Sequence, residues 1–225
     1  MLEDLLQQGL GTENLIAAYH PYSELPEGDD AAAQDFLVRG NFLNNALHSQ
    51  GVQQVWATEW GWSSYTSGAR EMQAMIGVNG QADYTLRRLA LMAAMDYQRI
   101  FLFNLSDLDA RASNRDQSYG LVDLAGEPKP VYNALKYFLD TTGPSLAPAD
   151  PPGLSNAPSD LYSIAWTRPD GSHVWMFWSA SGASLQVPGL NAATLHDPLT
   201  GTRTELSGQA GLSVPLKTSL QLLVW

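Results

Sequence analysis

The sequence predicts a fold of the α/β class, with a parallel sheet in the first part of the chain and a small all-β sandwich in the second. Three observations predict this arrangement. Helical and strand patterns alternate through residues 1–140, prolines crowd residues 141–160, and seven short strand patterns follow in residues 161–225. Alternation is typical of a parallel sheet covered by helices, whereas closely spaced short strands indicate an antiparallel sandwich. We therefore interpret residues 141–160 as a linker between two domains.

The first part contains three strand patterns separated by helices. Apolar residues at helical spacing predict helices over residues 2–10, 31–49, 82–97 and 129–139, with a shorter one over 71–76. Apolar runs bounded by turn formers predict strands over residues 15–19, 55–58 and 100–105. Because these runs are apolar throughout, we expect the strands to be buried on both faces, as strands of parallel sheets are.

The second part alternates short strands with turn sequences such as Asp170-Gly171 and Thr200-Gly201. The predicted strands cover residues 161–166, 173–178, 183–187, 194–197, 202–206, 212–215 and 220–225. Two interpretations stand for the tryptophans of this part, Trp166, Trp175 and Trp178. They form either an interface with the first domain or a platform that binds sugar, and the sequence leaves both open.

The composition excludes several classes of function. The chain has 12 basic and 23 acidic residues, and its formal net charge of −11 argues against nucleic acid or an anionic membrane surface as a partner. It has no cysteine, which excludes disulfides and thiol catalysis. No apolar run reaches the roughly 18 residues of a membrane span, and no signal peptide is visible. No grouping of side chains has metal-ligand spacing, so we expect neither a metal nor a cofactor.

Glu59 is the residue that most needs explanation. It ends the buried strand pattern of residues 55–58 and is framed by Trp56, Trp60 and Trp62. Glutamate is a poor strand residue and is costly to bury, whereas indole rings suit the apolar faces of a sugar and a carboxylate suits its cationic transition state. We interpret Glu59 as a catalytic carboxylate in a sugar-binding cleft. The alternative is a buried glutamate paired with an arginine beside core tryptophans.

Polar and aromatic residues also follow the other two strand patterns. Tyr19, His20 and Tyr22 lie at the end of the first, and Asn104 and Asp107 lie at the end of the third. Because the carboxyl ends of parallel strands meet at one edge of a sheet, these groups are expected near Glu59. The alternatives are a structural role for His20 and a loop-capping role for Asp107.

The order of these motifs resembles the second half of a clan A glycoside hydrolase, with family 39 as the nearest match. The resemblance covers residues 12–140 and the appended β-domain. The motifs that carry it are Thr58-Glu59-Trp60-Gly61, Asn104-Leu105-Ser106-Asp107, residues 119–123 (Tyr-Gly-Leu-Val-Asp) and residues 129–135 (Lys-Pro-Val-Tyr-Asn-Ala-Leu). It implies that residues 1–140 are the C-terminal strands of a (β/α)8 TIM barrel that hydrolyses O-glycosidic bonds with retention of configuration.

The resemblance also implies roles for the residues at the strand ends. Glu59 would be the nucleophile at the end of the seventh strand, with a hydrogen bond from the sixth-strand group Tyr19, His20 and Tyr22. Trp60, Trp62 and Tyr65 would line sugar subsites. At the end of the eighth strand, Asn104 and Asp107 would bind hydroxyl groups. Arg111 and Arg115 would hold the loop after that strand or contact an acidic sugar. Since Trp60 and Trp62 alternate along the chain, only one of them should face the cleft, and we predict that it is Trp62.

The chain departs from the family pattern in one respect. Retaining hydrolysis needs a second carboxyl group as acid/base, and no Asn-Glu pair after an earlier strand is present. A complete barrel needs roughly 250 residues and eight strands. We therefore expect an N-terminal companion half that supplies the acid/base, and a chain that does not fold stably alone.

The resemblance further implies a polysaccharide substrate, with endo action on a bacterial exopolysaccharide, and a location outside the cytoplasm, in the periplasm. Two other functions remain open from the sequence. One is a non-catalytic polysaccharide-binding protein, and the other is a transglycosylase that uses the same residues with a different acceptor.

Overall fold

The structure is a computed structural model that describes residues 2–9, 15–28, 36–68 and 73–225. Its fold is mixed α/β, and its contacts divide the chain into two compact units, Met1–Glu127 and Pro128–Trp225. In the first unit helices alternate with three strands that form a parallel sheet in the order β1-β2-β3. These elements are α1 (Leu2–Gln7), β1 (Ile16–Tyr19), α2 (Phe36–Ser49), β2 (Gln54–Trp60), α3 (Gly77–Ala93), β3 (Arg99–Leu102) and a 3-10 turn at Asp116–Ser118.

The two faces of the parallel sheet differ in burial. One face is covered by helices, where Leu6, Leu47, Val52 and Val55 form a buried cluster with Ala17 and Tyr19 packed against it. On the other face Ile16 is 46% and Phe101 47% exposed, and the rings of Trp56 and Phe101 lie 6.0 Å apart. The expectation of strands buried on both faces is therefore wrong for β1 and β3, because the described part of the chain covers this sheet on one side only.

Several element ends differ from the prediction for local reasons. Helix α3 starts at Gly77 and ends at Ala93, before the predicted end, since Asp96 has a φ of 58° that no helix accommodates. Strand β3 stops at Leu102, because the carbonyls of Asn104 and Leu105 accept hydrogen bonds from Leu121 and Val122 instead of continuing the sheet. Within the helix predicted over 71–76, residues 73–76 are not helical, and 71–72 lie outside the described residues, as do 31–35 of the second predicted helix.

The second unit opens with a helix and continues with antiparallel strands. Pro130 stands at the first position of α4 (Pro130–Thr142), where its missing N–H costs nothing. The strands are β4 (Ala147–Ala149), β5 (Tyr162–Thr167), β6 (His173–Trp178), β7 (Ser184–Val187), β8 (Ala192–Asp197), β9 (Thr202–Ser207), β10 (Leu212–Pro215) and β11 (Gln221–Val224). One sheet has the order β4-β5-β6-β11-β8-β9, and β10 pairs with β7 in the other. Strands β5–β11 correspond to the seven predicted ones, and β4 lies inside the predicted linker.

Side chains from both sheets of this unit form one apolar core. Trp175, Phe177 and Leu223 from the six-stranded sheet and Leu185 and Val214 from the two-stranded sheet belong to the same buried cluster. The other two tryptophans considered as a platform, Trp166 and Trp178, are also buried. None of the three tryptophans therefore offers an exposed face to a sugar, and the platform interpretation is wrong.

Candidate active site

Glu59 lies one residue before the end of β2, the middle strand of the parallel sheet. The Tyr22 hydroxyl donates a hydrogen bond of 3.0 Å to Glu59 Oε1, and His20 Nδ1 is 3.8 Å from the same oxygen. The Glu59 side chain is 36% exposed. The carboxylate is thus held by a phenol, with an imidazole nearby, and keeps contact with solvent, unlike the buried glutamate–arginine pair of the alternative interpretation.

A cavity of about 420 Å³ opens beside this carboxylate. Such a volume lies within the range of small-molecule sites. Its lining includes Glu59 and the aromatic residues Tyr22, Phe103 and Tyr119. The centre of the Tyr119 ring lies 6.3 Å from that of Tyr22 and 5.4 Å from that of Phe103, and both pairs are packed edge to face. The cavity therefore combines aromatic walls with the carboxylates of Glu59, Glu24 and Asp116, a composition suited to a sugar ring.

One pair of opposite charges, Arg115 and Asp116, lines the cavity. Arg115 donates from Nε and Nη2 to Asp116 Oδ1 at 3.0 and 2.9 Å, so this guanidinium is neutralised by its own neighbour. The pKa of Tyr22 is raised above its usual value by burial, and then by its hydrogen bond to Glu59 and the negative charge of that group. Tyr22 therefore remains a hydrogen-bond donor to the carboxylate across the physiological pH range.

Two buried glutamines connect the loops around the cavity. Gln73 donates to the Gly61 carbonyl at 2.9 Å and accepts from the Tyr119 hydroxyl at 2.8 Å. Gln81 donates to the carbonyls of Trp62 at 2.9 Å and Tyr119 at 3.1 Å. Gly61 and Trp62 follow β2, Tyr119 lies in the segment after β3, and all three are outside any helix or strand. These amides therefore satisfy main-chain groups that would otherwise be buried without partners.

The aromatic residues after Glu59 do not line the cavity as predicted. Trp60 and Trp62 are 1% and 2% exposed, and Tyr65 is buried as well. Trp62 Nε1 donates to the Glu24 carbonyl, and the Tyr65 hydroxyl donates to the Gln73 carbonyl. The prediction that Trp62 faces the cleft is therefore wrong, because its polar atom is used to hold a neighbouring loop.

Other predicted site residues also lie away from Glu59. Tyr19 points its hydroxyl at Asn44 and Tyr97 on the helix-covered side of the sheet. Asp107 Oδ1 accepts a hydrogen bond of 2.7 Å from the Gly120 N–H, so it has the loop-capping role. Neither side chain lines the cavity.

Asn104 and Arg111 complete this group. The Asn104 side-chain oxygen is buried without a hydrogen-bond partner, and Arg111 forms an exposed ion pair with Asp109 at 2.7 Å. Neither side chain lines the cavity, so the structure brings together Glu59, Tyr22 and His20 from the predicted set.

Sequence reasoning missed most of the cavity wall. Phe103, Tyr119 and Gln73 were not predicted as site residues, although Tyr119 begins one of the motifs that carry the family resemblance. Gln73 gave no signal of a site, because it falls in the segment 71–76 whose pattern predicted a short helix. Within the described ranges there is no group of three or more His, Asp or Glu side chains that could hold a metal ion, and no helix there is long and apolar enough to cross a membrane.

Comparisons with known proteins show the fold. No protein-family profile matches the chain, and no curated protein sequence matches it. A family 39 glycoside hydrolase from the gut symbiont Bacteroides cellulosilyticus WH2 is similar in structure, with a TM-score of 0.73 and 19% identity over 98% of this chain. A family 51 arabinofuranosidase from Xanthomonas axonopodis pv. citri gives a TM-score of 0.56 at 12% identity over 99% of this chain.

An endo-β1,6-glucanase gives a TM-score of 0.54 at 14% identity, again over 99% of this chain. In the other direction the chain covers 46%, 55% and 43% of these three structures, so it spans about half the length of each. The chain therefore has a mixed α/β fold like that of glycoside hydrolases.

Proposed function

We propose that this chain is part of a retaining glycoside hydrolase and carries its nucleophile, Glu59. One observation carries the proposal. A carboxylate at the end of the middle parallel strand receives a hydrogen bond from Tyr22 and opens on a cavity with aromatic walls. Carboxyl ends of parallel strands are where α/β enzymes place their active sites, and the likeness of the fold to glycoside hydrolases supports the same assignment.

The chemistry assigned to Glu59 is attack on the anomeric carbon of a sugar. A carboxylate oxygen forms a C–O bond to that carbon while the bond to the leaving-group oxygen breaks and the leaving group takes a proton from a general acid. Water then hydrolyses the glycosyl ester and regenerates the carboxylate. Tyr22 orients the carboxylate through its hydrogen bond, and His20 adds a second polar contact.

The acid/base group is assigned to a companion N-terminal half. Three features support a companion. They are the exposed face of the parallel sheet, the outer strands β1 and β3, which pair on one side only among the residues that the structure describes, and the coverage of 46% of the family 39 structure. Unpaired strand edges and exposed apolar faces are normally covered in stable proteins. We propose that the first unit is a partial (β/α)8 barrel and the second an appended β-sandwich.

The proposed substrate is a polysaccharide, cleaved by endo action. The finer resemblance, to an endoglycosidase of the Psl biofilm exopolysaccharide, depends on the same sequence motifs and makes a bacterial exopolysaccharide the substrate to test first. The proposed location is the periplasm, as the same resemblance implies.

The test is the Glu59→Gln variant of the complete hydrolase, the chain together with its companion half. Glutamine keeps the size of the side chain and removes its nucleophilic charge, so hydrolysis should fall by at least about a thousandfold while oligosaccharide affinity remains. Glu127→Gln, at an exposed loop position, is the matched control and should keep full activity. Full hydrolysis by Glu59→Gln would refute the assignment.

The second candidate function is a non-catalytic polysaccharide-binding protein. The absence of the acid/base motif from the sequence favours it. It predicts that the wild-type complete protein binds oligosaccharides without cleaving them, and that Glu59→Gln changes nothing but affinity. Product analysis of the wild-type protein separates the two functions.

A further inference from the structure

Arg88, in the fourth turn of helix α3, is a charged side chain with no exposed surface. Its guanidinium donates to the carbonyls of Pro26 at 2.6 Å, Pro21 at 2.7 Å and Leu25 at 3.1 Å. It also donates to the Ser23 hydroxyl. Burial of a cation is costly unless its donors are satisfied. A protein that keeps a guanidinium at this position therefore gains something from these contacts.

All four of these acceptors lie in residues 20–28, the segment that follows β1, which we call the β1 loop. This loop has no helix or strand, so its carbonyls have no regular partners. The Arg88 guanidinium also lies 3.6 Å from the centre of the Phe36 ring and 5.0 Å from that of Trp62. Trp62 in turn donates to the Glu24 carbonyl. The β1 loop is thus folded around the Arg88 side chain, which belongs to helix α3, more than sixty residues further along the chain.

The loop carries the residue that contacts the proposed nucleophile. Tyr22 stands between Pro21 and Ser23, both of which Arg88 holds, and its N–H donates to the His20 carbonyl at 2.9 Å. Its hydroxyl donates to Glu59 at 3.0 Å. A continuous set of contacts therefore runs from Arg88 through the β1 loop to Tyr22 and from Tyr22 to Glu59.

We propose that Arg88 is a positioning residue for Glu59, which acts by fixing the β1 loop so that the Tyr22 hydroxyl meets the carboxylate. The inference depends on the proposed function of Glu59 as a nucleophile. The requirement is for the fork of an arginine, because its donors diverge in a plane and reach acceptors spread over residues 21–26. A lysine ammonium at the same place reaches fewer of them.

The test is a double-mutant cycle on the complete hydrolase with an aryl glycoside substrate. The variants are Arg88→Lys, Tyr22→Phe and the double variant. If Arg88 acts through Tyr22, Arg88→Lys lowers kcat about tenfold with KM nearly unchanged, which matches the loss of one charge-assisted hydrogen bond. In the Tyr22→Phe background the same substitution lowers kcat less than about twofold. Equal losses of kcat in both backgrounds, or no loss in either, would overturn the proposal.

A second measurement does not depend on catalysis. Hydrogen exchange of the complete hydrolase should show faster exchange in residues 20–28 of Arg88→Lys, with the amides of β2 unchanged. Arg168→Lys is the matched control, because its guanidinium also donates to main-chain carbonyls, those of Thr141 and Thr142 in the second unit. Unchanged exchange in the β1 loop overturns the proposal even if Glu59 is the nucleophile. Conversely, hydrolysis by Glu59→Gln removes the proposed function whatever the exchange shows.

Discussion

The Tyr22→Phe substitution tests how far Glu59 depends on its hydrogen-bond donor. Phenylalanine keeps the ring and its edge contact with Tyr119, and it removes the hydroxyl that donates to Glu59 Oε1. A hydrogen bond to a charged group contributes about 1.5–3 kcal/mol. The lower end applies here, because the distance of 3.0 Å is long for a charge-assisted bond and the carboxylate is 36% exposed. A loss of about 1.4 kcal/mol is a tenfold change in rate.

We therefore expect kcat of the complete hydrolase to fall about tenfold in Tyr22→Phe, with KM changed less than about twofold. Steady-state kinetics with an aryl glycoside measure both constants. Tyr132→Phe is the control, since this tyrosine is exposed on helix α4. An unchanged kcat, or a loss confined to KM, would show that Tyr22 does not act through the carboxylate.

Three further outcomes follow from the structure. Gly61→Ala places a Cβ 2.4 Å from the Phe103 carbonyl oxygen, so the free energy of unfolding from urea titration should fall by about 1–3 kcal/mol. Gly153→Ala, with open space at its Cβ, should have no effect, and equal free energies of unfolding for the two variants would contradict the packing argument. Stability should fall as the pH rises above about 10, because the unfolded state releases phenolic protons that the folded state retains. Burial raises the pKa of Tyr19, Tyr22, Tyr84, Tyr97 and Tyr137, and urea titrations between pH 8 and 11 with a constant midpoint would exclude this effect. The chain without its companion should bind the dye ANS at the exposed face of the parallel sheet and lose that binding when the companion is added. A chain that binds no dye would contradict the inference that this face is uncovered.

The order of helices and strands was predictable because it depends on local patterns of apolar residues in the sequence. Apolar runs and helical spacing located β1, β2, β3 and the helices between them, and Pro130 marked the start of α4. The burial of the sheet was not predictable in the same way. Ile16 and Phe101 are as apolar as buried strand residues, and their exposure depends on what covers the sheet rather than on their own chemistry.

The candidate site likewise contains residues that local sequence patterns could predict and residues that they could not. Glu59, Tyr22 and His20 could be found from sequence because they lie at or shortly after the carboxyl ends of strands, and strand ends converge. Trp62 was misplaced because alternation along a strand no longer applies once β2 has ended at Trp60. The contribution of Arg88 could not be predicted, since its partners lie more than sixty residues away along the chain.

The most direct measurement is the mass of the peptide that contains Glu59 after reaction with 2-deoxy-2-fluoro glycosyl fluorides. Fluoride leaves without protonation, so formation of the glycosyl ester needs the nucleophile and not the acid/base, and the fluorine at C2 slows hydrolysis of the ester. Our account predicts one sugar attached at Glu59 and no labelling of Glu59→Gln. A sugar attached to a different carboxylate, with equal labelling of Glu59→Gln, would contradict it.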